Sequence, residues 1–407
     1  MVVRPYAPGA DPDHARAVRI GRHILDLSAA DVALELARVT EDFAARHLDV
    51  ADLFRRRFRD VAPIVLDGVS AGGNEALLIG AYFSQEYTYE AAALFNPSIV
   101  PHPDQTGLAG GAIRFVLSLR AVGEGHVSSI AFRTGVLARD GSIMIDTPGP
   151  QAIVPRIASS SLDAASNGSI RMERDDAYGL SETVIFPSTP NQRNGIEDLR
   201  LVRFVDDDGS STYLGTYTAY SSDGINQELL STRDFRTFDM SPMRGTAARG
   251  KGMALFPRRL DGRYAMLGRH DNETISLSYS SSLYDWDAGA AIVAPRYPWE
   301  FVQIGNCGSP IEIAEGWLVI THGVGAMRNY ALGACLLDRR DPSKLLCRLA
   351  EPFIRPHAGE RAGYVPNVTY SCGAMVQDRT LILPYAVADS VTTFATIPLD
   401  QLLAAME

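Results

Sequence analysis

The segment Asn194-Gly195-Ile196-Glu197-Asp198-Leu199-Arg200 places two carboxylates and a guanidinium group side by side along the chain. An apolar, strand-like run from Leu201 to Val205 follows it directly. Acidic and basic side chains at the start of a strand often form a salt bridge with no further role. Similar strand-like runs recur along the chain, however, and each carries polar residues at a comparable point. We therefore interpret the segment as one part of a repeated β architecture.

Short runs of strand-forming residues, broken by Gly, Pro, Asp and Ser, recur as a unit beyond the N-terminal quarter of the chain. The step from Leu255 to Pro310 is 55 residues, and that from Pro310 to Ala374 is 64 residues. Repeats of this length with three or four strands each are typical of propeller blades. We predict an all-β fold, a five-bladed β-propeller at residues 93–407, which ends in a short helix at 400–406. The five units begin near Arg114, Arg200, Ala254, Pro310 and Ala374.

Residues 1–92 carry a helical pattern instead, which predicts a helical N-terminal extension. Ser28, with an acidic residue three positions later, is a helix start signal that resembles a capping box. Asp49 can cap a second helix, which we expect to end near Pro63. A third helix is expected from Asn74 to Leu94.

Composition limits the possible partners and the location. The net charge of −10 disfavours nucleic acid and anionic membranes, since both bind basic surfaces. No apolar run approaches the roughly 20 residues of a membrane helix. The four cysteines lack metal-site spacing, and Met1 to Ala10 has no signal-peptide pattern. We therefore expect a cytoplasmic protein with reduced thiols, without a metal and without membrane association.

Polar residues recur at equivalent points of the predicted units. In a propeller the innermost strand of each blade lines a central channel, so such residues converge although they lie far apart in sequence. Carboxylates accept hydrogen bonds from hydroxyl groups and cations bind oxyanions, so the mixture suits a polyhydroxylated ligand together with an anion. Taken singly, His322 could be a core histidine, Lys251 a solvated lysine and Arg120 a bridge to a neighbouring blade. The residues at these points are Asn96, Ser98, Arg120, Asp198, Arg200, Lys251, Arg269, His270, Asp271, His322, Tyr385 and Asp389.

A set of segments carries a resemblance to a known family. They are Phe95–Gln105, Asn194–Arg200, Lys251–Pro257, Gly308–Ile311, Trp317–Val324, Leu336–Lys344, Val365–Val368 and Tyr385–Asp389. In this order they resemble glycoside hydrolase family 130, the β-mannoside phosphorylases and related mannosidases. The resemblance implies a five-bladed propeller and inverting phosphorolysis, in which a β-mannoside and inorganic phosphate give α-mannose 1-phosphate and a shortened acceptor. N-terminal extensions assist oligomerisation in some members, so we expect a homo-oligomer.

Carried over position by position, the resemblance makes Asp198 the general acid, which passes its proton through the mannose 3-hydroxyl to the leaving oxygen. No cofactor is implied, because inorganic phosphate is a co-substrate. Lys251 and His322 match phosphate-binding positions, and Arg120 and Arg200 complete an anion clamp. Arg269 stands in Gly-Arg-His where many members have His-Arg-Pro, which leaves the local sugar contacts open. The expected sugar contacts are Asn96, Ser98, Glu197, Arg269, Asp271, Tyr385 and Asp389.

Two other functions fit the same residues. An inverting hydrolase needs a second carboxylate that activates water, and Glu124, Glu273 and Glu312 are candidates for this base. A phosphorylase needs no such base, because phosphate is already an anionic nucleophile, so Lys251 and His322 favour phosphorolysis. The third possibility is a propeller that binds carbohydrate without turnover. The linkage, the acceptor sugar and the number of subunits stay open.

Overall fold

Residues 1–8, 14–161, 168–360 and 362–407 are described in a computed structural model of the chain. Two compact units follow one another, Met1–Tyr89 and Glu90–Glu407. The fold is mostly β with few helices. None of the helices in the described ranges is both long enough and apolar enough to cross a membrane.

The first unit contains helices and one small antiparallel sheet. Ser28 Oγ accepts a hydrogen bond from the backbone N–H of Asp31 at 3.2 Å, and Asp49 Oδ1 accepts one from Asp52 at 2.9 Å. These are the N-terminal caps predicted from the sequence, and each satisfies a donor that the first turn leaves free. The elements are β1 Val2–Pro5, α1 Ala15–Leu25, α2 Ala29–Ala44, α3 Val50–Val65, α4 Gly73–Tyr82 and β2 Ser84–Tyr87, with β1 paired to β2.

Two helix ends differ from the prediction. Helix α3 continues through Pro63 to Val65, where the missing N–H of proline costs a hydrogen bond only in the last turn. The predicted helix at 74–94 is wrong beyond Tyr82, because the chain turns there into β2. The hydroxyl of Ser84 donates to the carbonyl of Gly80 at 2.8 Å and so satisfies an acceptor at the end of α4.

The second unit is built from strands in groups along the chain. The first two groups share one sheet and are joined where Gly195 pairs in parallel with Ser128. The first group contains β3 Ala93–Pro101, β4 Ile113–Val122, β5 Ser128–Leu137, β6 Ile143–Ile145 and β9 Val184–Ile185, and the second contains β7 Arg156–Ser161, β8 Ser169–Glu173, β10 Gly195–Val205, β11 Ser211–Ser221, β12 Gly224–Thr232 and β13 Thr237–Pro242. The third group contains β14 Lys251–Leu255, β15 Tyr264–Arg269, β16 Ile275–Ser280 and β17 Ala290–Val293, and the fourth contains β18 Gln303–Asn306, β19 Ile311–Ile313, β20 Gly316–Val324, β21 Tyr330–Leu337 and β22 Leu345–Arg348. The last group contains β23 Thr369–Tyr370, β24 Met375–Gln377, β25 Thr380–Val387 and β26 Val391–Pro398, and helix α5 Leu399–Ala404 follows it.

Apolar clusters lie between successive groups. Met253 and Leu255 pack with Leu214 of the second group, and Leu318 packs with Leu381 of the last. The last group also packs on the first. Met375 and Ile382 share a buried cluster whose other members come mostly from the first group, namely Ile99, Phe115, Leu117, Leu119 and Leu137.

Antiparallel pairing brings the polar residues of different groups to corresponding places. In each group the start of an early strand lies beside the end of the strand that pairs with it. The polar residues picked out at equivalent points of the sequence therefore occupy the same end of their groups. The pairs at this end are Phe95–Arg120, Glu197–Thr218, Lys251–Arg269, Gly305–His322 and Thr369–Val387.

Candidate active site

Asp198 lies at a break in the β10–β11 ladder. The pairing is regular up to Glu197 and resumes at Arg200 with a shifted register, which marks a β-bulge. The backbone of Asp198 has φ +58°, a left-handed conformation that few non-glycine residues adopt. The bulge thus takes the Asp198 side chain out of the alternation of the strand.

The Asp198 carboxylate is surrounded by donors and cations. Its Oδ1 accepts a hydrogen bond from Asn96 Nδ2 at 2.7 Å and lies 3.6 Å from Arg120 Nη1. Burial alone would raise the pKa of Asp198, but Arg120, Arg200, the hydrogen bond from Asn96 and Lys251 outweigh burial and hold the pKa below its ordinary value. The carboxyl group of the unliganded protein is therefore charged.

Glu197 binds two of the cations near this carboxylate. Arg120 Nη2 donates to Glu197 Oε1 at 2.7 Å, and Lys251 Nζ lies 3.4 Å from Glu197 Oε2. The Arg120 guanidinium also lies over the ring of Phe95, 5.1 Å from its centroid. The Lys251 side chain is 39 % exposed, so it can reach a ligand without a rearrangement of the core. It is one of only two lysines in the sequence, the other being Lys344.

A second carboxyl group lies near Asp198. Asp389 is half-buried in the turn between β25 and β26 and has φ +48°. Burial, with the charges of Asp198 and Glu197, raises the pKa of Asp389 to about 6, although Arg120 and Arg328 oppose this shift. The Asp389 carboxyl group is therefore mostly charged at neutral pH and mostly protonated below pH 6.

Two buried arginines have donors to spare. Arg200 donates from Nη2 to the hydroxyl of Tyr370 at 2.7 Å, and its Nη1 has no partner among the described residues. Arg269 lies with Nη1 2.7 Å from His322 Nε2, and its Nε is likewise without a partner in the described ranges. The two residues are 4 % and 8 % exposed. The charge of Arg200 is partly offset by Asp198, whereas no carboxylate of the described residues forms an ion pair with Arg269. A buried charge without full compensation is costly, so this pair is suited to bind an anion.

His322 contributes no charge to this pair of arginines. It is buried, and burial together with Arg269 and Arg200 holds its pKa well below the ordinary value. The neutral ring accepts from Arg269 at Nε2, its Nδ1 lies 3.6 Å from Cys307 Sγ, and its face stacks on Tyr330. The geometry makes His322 a hydrogen-bonding support for Arg269.

Other residues predicted for the site have partners elsewhere. Ser98 Oγ accepts from the backbone of Leu201 at 3.1 Å, which ties β3 to β10. Asp271 accepts from the backbone N–H groups of Glu273 and Thr274 and closes a turn. Tyr385 packs against the apolar cluster of the last two groups. Their role in sugar binding stays a prediction.

The three glutamates considered as bases are also outside this group of contacts. Glu124 and Glu273 are exposed in turns. Glu312 accepts from Arg258 at 2.8 Å, and Arg339 lies 3.2 Å from it. Hydrogen bonding to Arg258 lowers its pKa. The carboxyl groups that share the cations are Glu197, Asp198 and Asp389.

The sequence did not single out the side chains that hold Arg200 and His322. Tyr370 and Gln303 contact Arg200 and His322, respectively. Tyr370 comes shortly after the motif Val365–Val368, which was the available signal. Gln303 lies in no motif, and only the pairing of β18 with β20 places it beside His322.

Gly195 fixes the start of the Asp198 segment by a close approach. It has φ +136°, and a Cβ atom there would lie 2.4 Å from Ser128 Oγ. We expect Gly195→Ala to lower the free energy of unfolding by more than the about 1–3 kcal/mol of backbone strain alone. Chemical denaturation measures this loss. The control is Gly209→Ala, where φ is +82° but no atom lies within 4 Å, so that only strain is added. Equal losses in the two variants would contradict the close approach.

Comparison with known proteins supplies further findings. The sequence profile of the family Glyco_hydro_130, described as β-1,4-mannooligosaccharide phosphorylase, matches residues 159–407. The 1,2-β-oligomannan phosphorylase of Thermoanaerobacter sp. (strain X514) is 31 % identical over 258 residues, which cover 62 % of this chain and 83 % of that protein. The β-1,2-mannobiose phosphorylase of Listeria innocua is 29 % identical over 233 residues, 55 % of this chain and 63 % of that one.

The likeness extends to solved structures. The β-1,2-mannobiose phosphorylase from Listeria innocua, in complex with β-1,2-mannobiose, superposes with a TM-score of 0.54 at 24 % identity. The superposition covers 77 % of this chain and 92 % of that chain. At 24 % identity this superposition shows a similarity of fold alone.

Proposed function

The chain belongs to glycoside hydrolase family 130, the family of the β-1,4-mannooligosaccharide phosphorylase profile, and on this premise we propose that it catalyses inverting phosphorolysis of a β-mannoside to α-mannose 1-phosphate and a shortened acceptor. The observation that carries the proposal is a half-buried carboxylate, Asp198, beside cations that lack full compensation. Phosphate needs positioning and charge neutralisation, whereas a hydrolytic water needs a base.

We assign the phosphate to the cations around Asp198. Arg120 and Lys251 present their charges next to Glu197, and Arg200 has an unused N–H donor. Arg269 also has an unused donor and a charge that no carboxylate of the described chain balances within 4 Å, so an anion suits it better than a neutral hydroxyl group does. His322 then serves the phosphate through Arg269.

The proton of the reaction comes from Asp198 in this proposal. The unliganded carboxylate is charged because Arg120, Arg200, the hydrogen bond from Asn96 and Lys251 hold it so. A bound phosphate dianion compensates the same cations, which raises the pKa of Asp198 and favours uptake of a proton. The neutral carboxyl group then gives this proton, through a hydroxyl group of the mannose, to the oxygen that leaves. Phosphate binding thus prepares the acid for its step.

The sugar is held by side chains that can accept hydrogen bonds from its hydroxyl groups. Asn96 Oδ1 is buried and has no partner among the described residues, while its Nδ2 is occupied by Asp198. Asp389 adds a carboxylate near Asp198. Both accept hydrogen bonds, which is what the hydroxyl groups of a pyranose ring offer. We propose these two residues, with Glu197, as contacts of the mannose.

The role of Asp389 predicts a pH dependence. Its pKa of about 6 means that the carboxylate, the stronger acceptor, is lost as the pH falls from 7 to 5. We expect the KM for the mannoside at saturating phosphate to rise about fivefold over this range, which corresponds to about 1 kcal/mol. In Asp389→Asn the KM should stay near the value of the wild type at pH 5 and should vary little between pH 5 and 7. A variant with the KM of the wild type at pH 7 would remove Asp389 from the sugar site.

For the fold we propose a five-bladed β-propeller at residues 93–407, preceded by a helical extension. Separation of the first sheet at the Gly195–Ser128 pair gives five antiparallel groups in the described chain. Contacts between successive groups, and between the last and the first, support this arrangement. We also propose a homo-oligomer in the cytoplasm, with an oligosaccharide and inorganic phosphate as its partners.

Product analysis tests the proposed reaction. A panel of β-1,2-, β-1,3- and β-1,4-linked manno-oligosaccharides is incubated with and without inorganic phosphate, and mannose 1-phosphate is measured. Formation of this product only with phosphate is the expected result. Free mannose released equally without phosphate would indicate hydrolysis instead, for which Asp389 is the second carboxyl group near Asp198.

A further inference from the structure

We propose that Gln192, Tyr217 and Glu228 are positioning residues for Asp198. Their side chains form a buried hydrogen-bonded unit, called here the Gln192 unit, that holds the turn from which the Glu197–Asp198 segment begins. This inference rests on the proposed role of Asp198 in the reaction. None of the three residues contacts the carboxyl groups and cations described above.

The Gln192 unit is anchored on the turn just before β10. The 3₁₀ turn Pro190–Gln192 ends three residues before Gly195. The Gln192 side chain is fully buried and is bound at both ends. Its Nε2 donates to Glu228 Oε2 at 2.7 Å and to the hydroxyl of Tyr217 at 3.1 Å, and its Oε1 accepts from the backbone of Ser188 at 2.9 Å.

The other two members lie directly behind the bulge. Tyr217 of β11 pairs with Glu228 of β12, and its hydroxyl donates to the Glu228 carboxylate. The neighbours of Tyr217 in β11 are Thr216 and Thr218, which pair with Arg200 and Glu197 on either side of the break. The Gln192 unit therefore joins the turn before Asp198 to the part of β11 that faces the bulge.

The bulge makes such support necessary. In a regular ladder each residue is placed by its cross-strand partner, but the pairing of β10 with β11 is interrupted at Asp198. The position of its carboxyl group then depends on the two ends of the interruption. The C-terminal end is fixed by the ladder from Arg200 onward. The N-terminal end is held by the ladder from Gly195 to Glu197, by Gly195 against Ser128, by a hydrogen bond from Asn194 to the Tyr220 carbonyl at 2.9 Å, and by the Gln192 unit.

The Gln192 unit places a carboxyl group in the protein interior, and its burial costs free energy. Glu228 is 1 % exposed, and burial raises the pKa of its carboxyl group in spite of the hydrogen bonds from Tyr217 and Gln192. Apolar side chains of the same volume would avoid this cost. Hydrogen bonds, unlike apolar contacts, fix direction as well as distance. The hydrogen bonds of the buried Glu228 carboxyl group give a defined orientation to the turn that leads to Asp198.

Two variants remove one hydrogen-bonding group each and keep the volume. Tyr217→Phe loses the hydroxyl, and Gln192→Leu loses the amide. We expect kcat to fall about 10- to 100-fold in each, since a displacement of about 1 Å is enough for such a loss. The KM for phosphate should stay within about threefold, because Lys251 lies on β14 and Arg200 is held in the ladder beyond the break. Glu228→Gln retains an acceptor for both partners and should keep kcat within about threefold of the wild type.

Glu300 provides the matched control. It is 1 % exposed, ends the 3₁₀ turn Pro298–Glu300, and accepts from the backbone of Arg296 at 2.8 Å and from the side chain of Arg348. Glu300→Gln disturbs a buried polar unit of the same kind in another strand group. We expect it to lower the stability, as the two variants of the Gln192 unit do, but to leave kcat unchanged.

Hydrogen–deuterium exchange gives a readout that does not depend on turnover. Amides of residues 193–199 should exchange faster in Tyr217→Phe and Gln192→Leu than in the wild type, and at the wild-type rate in Glu300→Gln. If the wild type turns over no mannoside, the proposed function fails while exchange still tests the Gln192 unit. Unchanged exchange at 193–199, or an equal loss of kcat in Glu300→Gln, would overturn the inference.

Discussion

Asp198→Asn will reduce kcat for natural β-mannosides by about 10³-fold or more, within the range by which general acids contribute. Asparagine has the same shape and keeps an oxygen that can accept from Asn96 Nδ2, so the bulge and its φ of +58° stay in place. What disappears is the group that we propose as the donor of a proton to the leaving oxygen. Removal of the negative charge also leaves Arg120 and Arg200 more available, so we expect phosphate to bind as tightly as before or more tightly.

The leaving group makes this test specific. An aryl β-mannoside whose phenol leaves without protonation should restore much of the kcat of Asp198→Asn, whereas oligosaccharides should not. Asp338→Asn is the control, since Asp338 accepts from the backbone N–H groups of Arg340 and Asp341 in a turn and needs no charge to do so. A kcat within tenfold of the wild type on oligosaccharides would exclude Asp198 as the acid.

Lys251→Ala will raise the KM for phosphate about 10- to 100-fold, as expected for the loss of one charge-assisted contact of about 1.5–3 kcal/mol. The KM for the mannoside should change little, because Asn96 and Asp389 are untouched. Initial rates at varied phosphate and saturating mannoside measure the effect. Glu197 keeps Arg120 as a partner at 2.7 Å, so the local structure should survive.

Lys344→Ala is a closely matched control, because the chain has only these two lysines. Lys344 is exposed and pairs with Asp341 at 3.1 Å. This turn makes no contact with Asp198 or with the cations described around it. Its loss should leave the KM for phosphate unchanged. If Lys251→Ala behaved in the same way, Lys251 would be removed from the phosphate site.

The sequence predicted that Asp198, Arg120 and Lys251 lie close together, but not how they are held. Asp198, Arg120 and Lys251 could be selected because they stand at comparable points of repeated strand patterns, and antiparallel pairing places such points at one end of each group. The left-handed backbone of Asp198 left no mark in the sequence, since it results from a register shift that only the partner strand reveals.

The charge states of His322 and Asp389 also could not be predicted from the sequence. A histidine in Ile-Thr-His-Gly reads as a cation for phosphate, yet the tertiary structure buries His322 against Arg269 and Arg200, which keep it neutral. Conversely, nothing local marks Asp389 as a carboxyl group with a pKa of about 6, because the shift comes from burial and from residues far away in the sequence. The early strand β2 was missed because it forms by pairing with β1, which lies far away in the sequence.

The packing of the last strand group on the first has a consequence for biosynthesis. Phe115 and Leu117 are among the first strand residues to leave the ribosome, but the apolar partners Met375 and Ile382 follow more than 250 residues later. The early strands must therefore wait, with one face uncovered, for nearly the whole chain to be translated. The same order applies to the candidate active site, because Asn96 and Arg120 are made early, and Tyr370 and Asp389 late. A nascent chain cannot bring these side chains together until the segments that carry Tyr370 and Asp389 have been released.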